Sequence, residues 1–429
     1  MATAMVGDPW TTRTMPRSFS HSFLLLAGLC CLLPGSQTRD YQKTGASDSD
    51  KNPEHTQCQN FASTITNISL SLLQKASNWP KQTNFVFSPM SIVTAFAMLS
   101  LGAKGSTHKE ILNGLKFDLM MMPEMEVHKC FQHLVHTFLQ PNYQVHMTLG
   151  SSLFINKGLK VENKFKKMAM ELYNSEVISI NFRDSQTAKM QINKHVMKRS
   201  YGHVLKIIKD LPIDTVLALV THISFNGVQI GEFEPEHVDT MEFQLDSGKV
   251  VIVPIVKRQG TFYLLKDKNL SSWVLMQHYA GNIIAFFILP ELGKMEELIQ
   301  NLSHKHLNSI HRRISTRISN LHFPKLTVST TYDLKTVMNT LGITQIFSSK
   351  ADLSKVTKKV PVKLSKAVHK AMLGIEDKPS EASEFPDLYK ALLPDGPTIE
   401  FNRSFLVIIK DKTFNLPFLV GKIEDPKAQ

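Results

Sequence analysis

The order in which two hydrophobic periodicities occur constrains this chain most. Before residue 210 apolar side chains recur at helical spacing, and beyond residue 216 they come in strand-like runs. Phe61, Ile65, Ile68 and Leu72 share one helical face. Ser88-Pro89 is a helix start, with a capping hydroxyl followed by proline, and it predicts a helix over 90–101 closed by Gly102. Residues 120–139 are helix-like with a histidine-rich polar face, and 189–209 predict an amphipathic basic helix. Strand signals follow at 216–225, 250–254, 283–289, 325–329 and 405–409. Helices first and strands later predict an α+β domain, not alternating βαβ units. The 429 residues would allow two or three domains of about 150 each, but no repeat or linker divides them. Residues 56–429 are therefore read as a single domain. Hydrophobic residues at 42% and charged residues at 20% exclude collagen-like, low-complexity and wholly disordered chains.

The N-terminus points to secretion. Arg13 and Arg17 precede an 11-residue apolar run, Phe23 to Leu33, which Pro34-Gly35 ends. Such a run is far short of the ~20 residues of a membrane span and has the layout of a signal peptide. Residues 1–38 are assigned to it, with cleavage between Gly35 and Thr38 and Met15 as an alternative start. Residues 39–55 are polar and read as a flexible tail. Cleavage removes Cys30 and Cys31 and leaves Cys58 and Cys130, too few for a disulfide scaffold. Whether that pair bridges depends on geometry that sequence does not carry. Sequons at Asn67, Asn269 and Asn301 are expected to carry glycans. A fourth, at Asn402, lies in strand-like sequence between Phe401 and Phe405 and is expected to stay bare.

Catalytic signatures are absent: there is no G-x-S-x-G, H-E-x-x-H, P-loop or G-x-G-x-x-G. Histidines number 17, and His304, His306 and His311 suggest a surface zinc site, but no third convergent ligand is evident. The chain is accordingly expected to be no enzyme, with no metal or cofactor, no nucleic-acid or membrane partner, and monomeric.

Three segments carry a family resemblance. The first is Asn84-Phe-Val-Phe-Ser-Pro-Met-Ser-Ile-Val-Thr-Ala-Phe-Ala-Met-Leu-Ser-Leu-Gly-Ala-Lys. The second is Tyr332-Asp-Leu-Lys-Thr-Val-Met-Asn-Thr-Leu-Gly-Ile-Thr-Gln-Ile-Phe, continued by Leu364-Ser-Lys-Ala-Val-His-Lys. The third runs from Phe401-Asn-Arg-Ser-Phe to Leu416-Pro-Phe-Leu-Val-Gly-Lys. Together they resemble the serpin superfamily, in its antitrypsin-like clade. The resemblance implies three β-sheets, about nine helices and an exposed reactive-centre loop over about 378–398. It also implies a mechanism. A serine protease cleaves the loop as an acyl-enzyme, and the loop then inserts as a new strand of the large sheet.

Aligned with that clade, the scissile bond falls at Leu393-Pro394 and the hinge at Pro379-Ser380-Glu381-Ala382-Ser383-Glu384-Phe385-Pro386. Inhibitory members have a glycine first and small residues after it. Ser380 and Ala382 suit inward-facing sites, and Glu381 fits the pattern. Strand alternation also puts Glu384 and Pro386 on the inward face. Glu384 would be a buried charge, and Pro386 cannot donate to a ladder. Pro379 fixes φ at the pivot, and Pro394 directly after the cleaved residue makes a poor protease substrate. The expectation is therefore a serpin with impaired covalent inhibition. The alternatives are a working inhibitor of a chymotrypsin-like protease with Leu393 at the scissile bond, and a carrier of a hydrophobic ligand or hormone.

Two further site expectations follow from the resemblance. The family's shutter, a hydrogen-bonded cluster under the large sheet, maps to Ser88, Ser91 and His369, with Thr221 where asparagine is usual and Gln229 where a tryptophan is usual. A heparin-like glycosaminoglycan site maps to His304, Lys305, His311, Arg312, Arg313 and Arg317. The stretch 298–332 carries five bases and no acid, and tighter binding is expected below pH ~6.5, where histidines charge. The formal charge of +12 falls to +11 once Asp8, Arg13 and Arg17 leave with the signal. That remainder lies in this stretch (+5) and in 187–209 (+6).

Overall fold

The computed structural model describes residues 58–76, 84–140, 147–228, 238–279, 282–358, 360–376 and 396–428. In chain order the helices are α1 (Gln59–Lys75), α2 (Pro89–Gly102), α3 (Gly105–Gly114), α4 (Glu124–Phe138), α5 (Asn163–Tyr173), α6 (Ser185–Arg199), α7 (Met295–Asn301), α8 (His304–Arg313) and α9 (Leu334–Asn339). The strands are β1 (Phe85–Phe87), β2 (Met147–Asn156), β3 (Glu176–Ile180), β4 (Leu217–Val228), β5 (Val238–Gln244), β6 (Val250–Asp267) and β7 (Ser272–Tyr279). They continue with β8 (Ile283–Pro290), β9 (Ser315–Pro324), β10 (Leu326–Asp333), β11 (Lys366–Glu376), β12 (Thr398–Glu400), β13 (Phe405–Asp411) and β14 (Pro417–Ile423). The chain is α+β, with nine α-helices among the described residues.

Hydrogen bonding groups the strands into a five-stranded sheet, β10-β11-β4-β2-β3, and a nine-stranded one. The resemblance implies three sheets; among the described residues the ladders form two, because β6 makes the larger one continuous. The 18-residue β6 pairs with β5 and β9 along its first part and with β7 at its end. A main core of aliphatic and aromatic side chains joins the sheets to the helical layer. Phe287, Phe323, Phe401 and Phe405 pack edge-on or tilted within it at centroid distances from 4.9 to 6.4 Å.

The helices at the front of the chain start and stop for local reasons. The Ser88 hydroxyl accepts the Ser91 N–H at 3.0 Å and Pro89 takes the first helical position, as expected. Every residue of α2 is buried, so this helix is a central strut. The helix expected over 120–139 starts at Glu124, because Met121 adopts φ 57° and Pro123 precedes the helix. That expected over 189–209 ends at Arg199, where Tyr201 and Gly202 turn left-handed at φ 51° and 86°. The residues beyond are not helical; Val204, Ile207, Ile208 and Leu211 fold back to fill a second, smaller core beneath α6. Asn193 clasps them, its Oδ1 accepting the Ile207 and Ile208 N–H groups at 2.9 Å and its Nδ2 donating to the Ile208 carbonyl.

Cys58 and Cys130 form a disulfide that ties the entry of α1 to α4. No helix among the described residues is long and apolar enough to cross a membrane.

Candidate functional site: a parallel seam and a cationic cavity

At the centre of the five-stranded sheet, β4 and β11 run parallel, in register from Lys366 opposite Ala218 to Glu376 opposite Val228. Their other neighbours, β2 and β10, pair antiparallel to them. Both faces of this seam are covered. On one side Leu217, Leu219, Ile223, Phe225, Ala367, Ala371 and Leu373 join the main core. On the other, Ala218, Val220 and Val368 meet α6 and the segment after it. The end of β11 leads directly into residues 377–395, and the chain re-enters the larger sheet at β12, parallel to β9. A strand turning back from Glu376 would run antiparallel to both β4 and β11. Insertion between them would replace one parallel ladder with two antiparallel ones, the more stable arrangement per residue.

Three residues expected at the shutter meet under this seam. His369, wholly buried, accepts the Ser88 backbone N–H on Nε2 at 2.9 Å and donates from Nδ1 to Thr221 Oγ1 at 2.7 Å. Because a backbone N–H can only donate, Nε2 is unprotonated and the proton sits on Nδ1. Burial, helped by nearby His222, pushes His369 down to about 3. Ser91 contributes its N–H to Ser88, while its own hydroxyl is buried without a partner among the described residues. Thr221 and His222 point to opposite faces of β4, so the His222 ring lies on the α6 side, packed over Gly150 of β2. A Cβ at Gly150 would stand 2.9 Å from that ring, so the ring occupies the space a side chain would need. His222 too is pushed down to about 3, mainly by burial and then by Arg199.

The scissile pair Leu393 and Pro394, the hinge Pro379, Ser380, Glu381, Ala382, Ser383, Glu384, Phe385 and Pro386, and Gln229 lie outside the described residues.

The basic residues expected to share one surface of α8 are divided by the fold. Leu307 and Ile310 face the core. Lys305 and Arg312, seven residues apart, project outward from the opposite side. Arg313 is paired with the buried carboxylate of Asp267, which offsets its charge. Arg317 sits on β9, a separate element. His304 is half-buried: its Nε2 takes the Asn308 amide at 3.2 Å, with Asn415 at 3.4 Å. Burial and then Lys410 hold both His304 and His311 below the ordinary histidine value. The expected onset of tighter binding near pH ~6.5 therefore moves lower.

Beside α8 opens a cavity of about 290 Å³, lined by Ile284, Asn308, His311, Arg312, Lys410, Lys412 and Asn415. Lys410 is its least ordinary residue. It continues the apolar run of β13, is 2% exposed, hydrogen-bonds Asn415 Oδ1, and stands 4.9 Å over the Phe286 ring. Burial lowers its amine to about 8. Sequence inspection passed over this cavity. One signal was present, since Leu406, Ile408 and Lys410 share one face of the strand.

Asn67, Asn269 and Asn301 are exposed. Asn402 is half-buried, its amide donating to Glu400 at 3.3 Å and its Oδ1 accepting from Arg403 at 3.0 Å.

A family model described as serpin (serine protease inhibitor) matches residues 63–426. The human alpha-1-antitrypsin-related protein is 44% identical over 418 residues, covering 96% of this chain and 99% of that one. Bovine alpha-1-antiproteinase is 44% identical over 415 residues, with 96% and 99% covered. Human thyroxine-binding globulin, solved in complex with thyroxine, superposes with a TM-score of 0.79 at 33% identity, covering 86% of this chain and 99% of its own. Human glycosylated kallistatin gives the same TM-score, identity and coverage.

Proposed function

Since the chain belongs to the serpin family, we propose that it is a secreted, monomeric glycoprotein of that family whose capture of a serine protease stops short of a stable covalent complex. The family inhibits proteases and does not catalyse, and its mechanism is a race: either the cleaved loop inserts, or the acyl-enzyme is hydrolysed. The observation that carries the proposal is the β4–β11 seam set against the hinge sequence. The core face beside the seam holds Leu219, Ile223, Phe225, Ala367, Ala371 and Leu373, all at most 1% exposed, and one polar pair, Thr221–His369, already satisfied. No cation stands in that row for Glu384. Burying that carboxylate unpaired costs several kcal/mol, and Pro386 would withhold a ladder hydrogen bond. Slow insertion leaves the protease time to hydrolyse and leave.

The test is incubation with chymotrypsin, elastase and trypsin, followed by denaturing gels. Cleavage without an SDS-stable complex is expected. A complex would overturn the proposal in favour of an active inhibitor with Leu393 at the scissile bond. The companion variant Pro379→Gly/Glu384→Ala/Pro386→Ala should form more complex than the native chain. Loop cleavage should raise the melting temperature of the variant more than that of the native protein.

The surface of α8 bearing Lys305 and Arg312 is proposed to hold a heparin-like glycosaminoglycan, with Asn67, Asn269 and Asn301 carrying glycans elsewhere. A second reading, a carrier for a small ligand, is favoured by the cavity beside α8. Thyroxine-binding globulin, solved with thyroxine, is a precedent within the fold. Here Arg312, Lys410 and Lys412 call for an organic anion. Titration with anilinonaphthalene sulfonate should show saturable binding that Arg312→Ala weakens; unsaturable or unchanged binding would refute the carrier reading.

A further inference from the structure

We propose that Lys410 is a covalent capture site, its amine forming an imine with anionic aldehydes that enter the cavity between α8 and β13. The inference rests on the carrier reading and adds a chemistry that reversible binding does not need.

Placement comes first. The ladder sets Lys410 opposite Ile284 of β8 and Pro417 of β14, inside a strand that is otherwise wholly apolar up to that point. At 2% exposure its side chain cannot snorkel to bulk water. Its Nζ contacts an amide oxygen, on Asn415, and an aromatic face, on Phe286; neither is a carboxylate. Asp411 follows directly on the strand and so points to the opposite side of the sheet, where its carboxylate accepts the Phe414 N–H. The charged or titratable groups around Lys410 are Asp411 and Lys412 on its own segment and His304, His311 and Arg312 on α8. From β8 come only Ile284 and Phe286. Burial and the cationic neighbours favour the neutral amine, while Asp411, the Asn415 oxygen and the Phe286 face favour the charged one; burial is the larger effect.

Burial brings the amine to about 8. At pH ~7.4 about one Lys410 in five is then neutral, against about one in a thousand for an ordinary lysine. Desolvation and cationic neighbours are how nucleophilic lysines are generally activated. The cavity also supplies what a selective aldehyde site needs. Arg312 and Lys412 attract and hold an anionic group, while Asn308 and Asn415 offer amides to other polar atoms. The chemistry balances without an oxidant or reductant. The amine lone pair adds to the carbonyl carbon, and the oxygen takes up a proton to give a carbinolamine. The hydroxyl then leaves as water, the nitrogen having given up both its hydrogens, and a carbon–nitrogen double bond remains.

Pyridoxal phosphate is a suitable probe, since it joins an aldehyde to a dianion and its imines absorb visible light. Titration of the intact protein, borohydride reduction and peptide mapping should place one equivalent on the peptide carrying Lys410. Half-saturation should come at a concentration at least tenfold below that of surface lysines. The labelling rate should level off as pH rises through about 8, well below the ordinary lysine value. Lys410→Met should abolish the specific label, and so should Lys410→Arg, which keeps the charge and cannot form the imine. Label spread evenly over surface lysines, or persisting in Lys410→Arg, would overturn the proposal. Pyridoxine phosphate, which has an alcohol in place of the aldehyde, separates the two claims. If it binds competitively with anilinonaphthalene sulfonate while Lys410 stays unlabelled, the covalent inference fails and the carrier reading stands. If it does not bind and no label forms, both fail.

Discussion

Acid should loosen the β4–β11 seam, and two buried histidines steepen the loss. His369 and His222 are each held at about 3, mainly by burial, whereas an unfolded chain leaves a histidine near 6.5. A base with a depressed folded value binds fewer protons folded than unfolded. Its contribution is therefore intact above about pH 6.5 and is lost as pH falls from there toward about 3. At about pH 5 each histidine removes roughly 2 kcal/mol, and below about pH 6 each adds a slope of about 1.4 kcal/mol per pH unit. Both together remove about 4 kcal/mol, a large share of a typical domain stability of about 5–15 kcal/mol. His222→Leu isolates half of the effect. The His222 Nε2 has no hydrogen-bond partner among the described residues, so that replacement forfeits none there and keeps an apolar side chain over Gly150. Urea unfolding followed by circular dichroism at about pH 7.5, 6 and 5 should give the variant near-native stability at the highest pH and a slope below pH 6 smaller than the native one by about 1.4 kcal/mol per pH unit. An unchanged slope would refute the reasoning, because His222 would then not be the neutral, buried base its surroundings make it.

Three further outcomes are expected. Thr221→Val removes the acceptor of the His369 Nδ1–H and should lower stability by about 1–3 kcal/mol in urea unfolding, whereas Thr221→Asn, which keeps an acceptor, should cost less. Cys130→Ser releases a cross-link spanning 72 residues and should lower the stability measured by urea unfolding by up to about 4 kcal/mol, the loop-entropy value. On heparin resin, Lys305→Ala/Arg312→Ala should elute at clearly lower salt while Arg313→Ala, whose partner is Asp267, should elute nearly unchanged. Because His304 and His311 are held below the ordinary histidine value, any acid-enhanced retention should begin below pH ~6.5.

What could be read from the sequence depended on whether a residue's partner lay within a few positions of it. Ser88-Pro89 announces α2 because a cap and a first-turn proline act on their own backbone, and the structure shows that start. Alternation and apolar runs placed β4, β8 and β13 for the same reason, though the ends of β4 and β13 lie beyond the expected residues. The stop of α6 at Arg199 was missed, since Tyr201 in a left-handed conformation is an unusual choice that composition does not signal. Electrostatics misled in a more instructive way. Counting bases on α8 treats each as free, yet the acid that claims Arg313 is 46 positions away, on β6. Thr221 and His369 are 148 positions apart, so their pairing was reachable only through resemblance to a family. Lys410 went unnoticed for the converse reason. A lysine at the end of an apolar strand reads as the point where the chain meets water, and here α8 and the β13–β14 turn cover that point. Net charge thus locates where cations are dense, while their chemistry is set by burial: Lys305 remains an exposed point charge, Arg313 half of an ion pair and Lys410 a buried amine of lowered basicity.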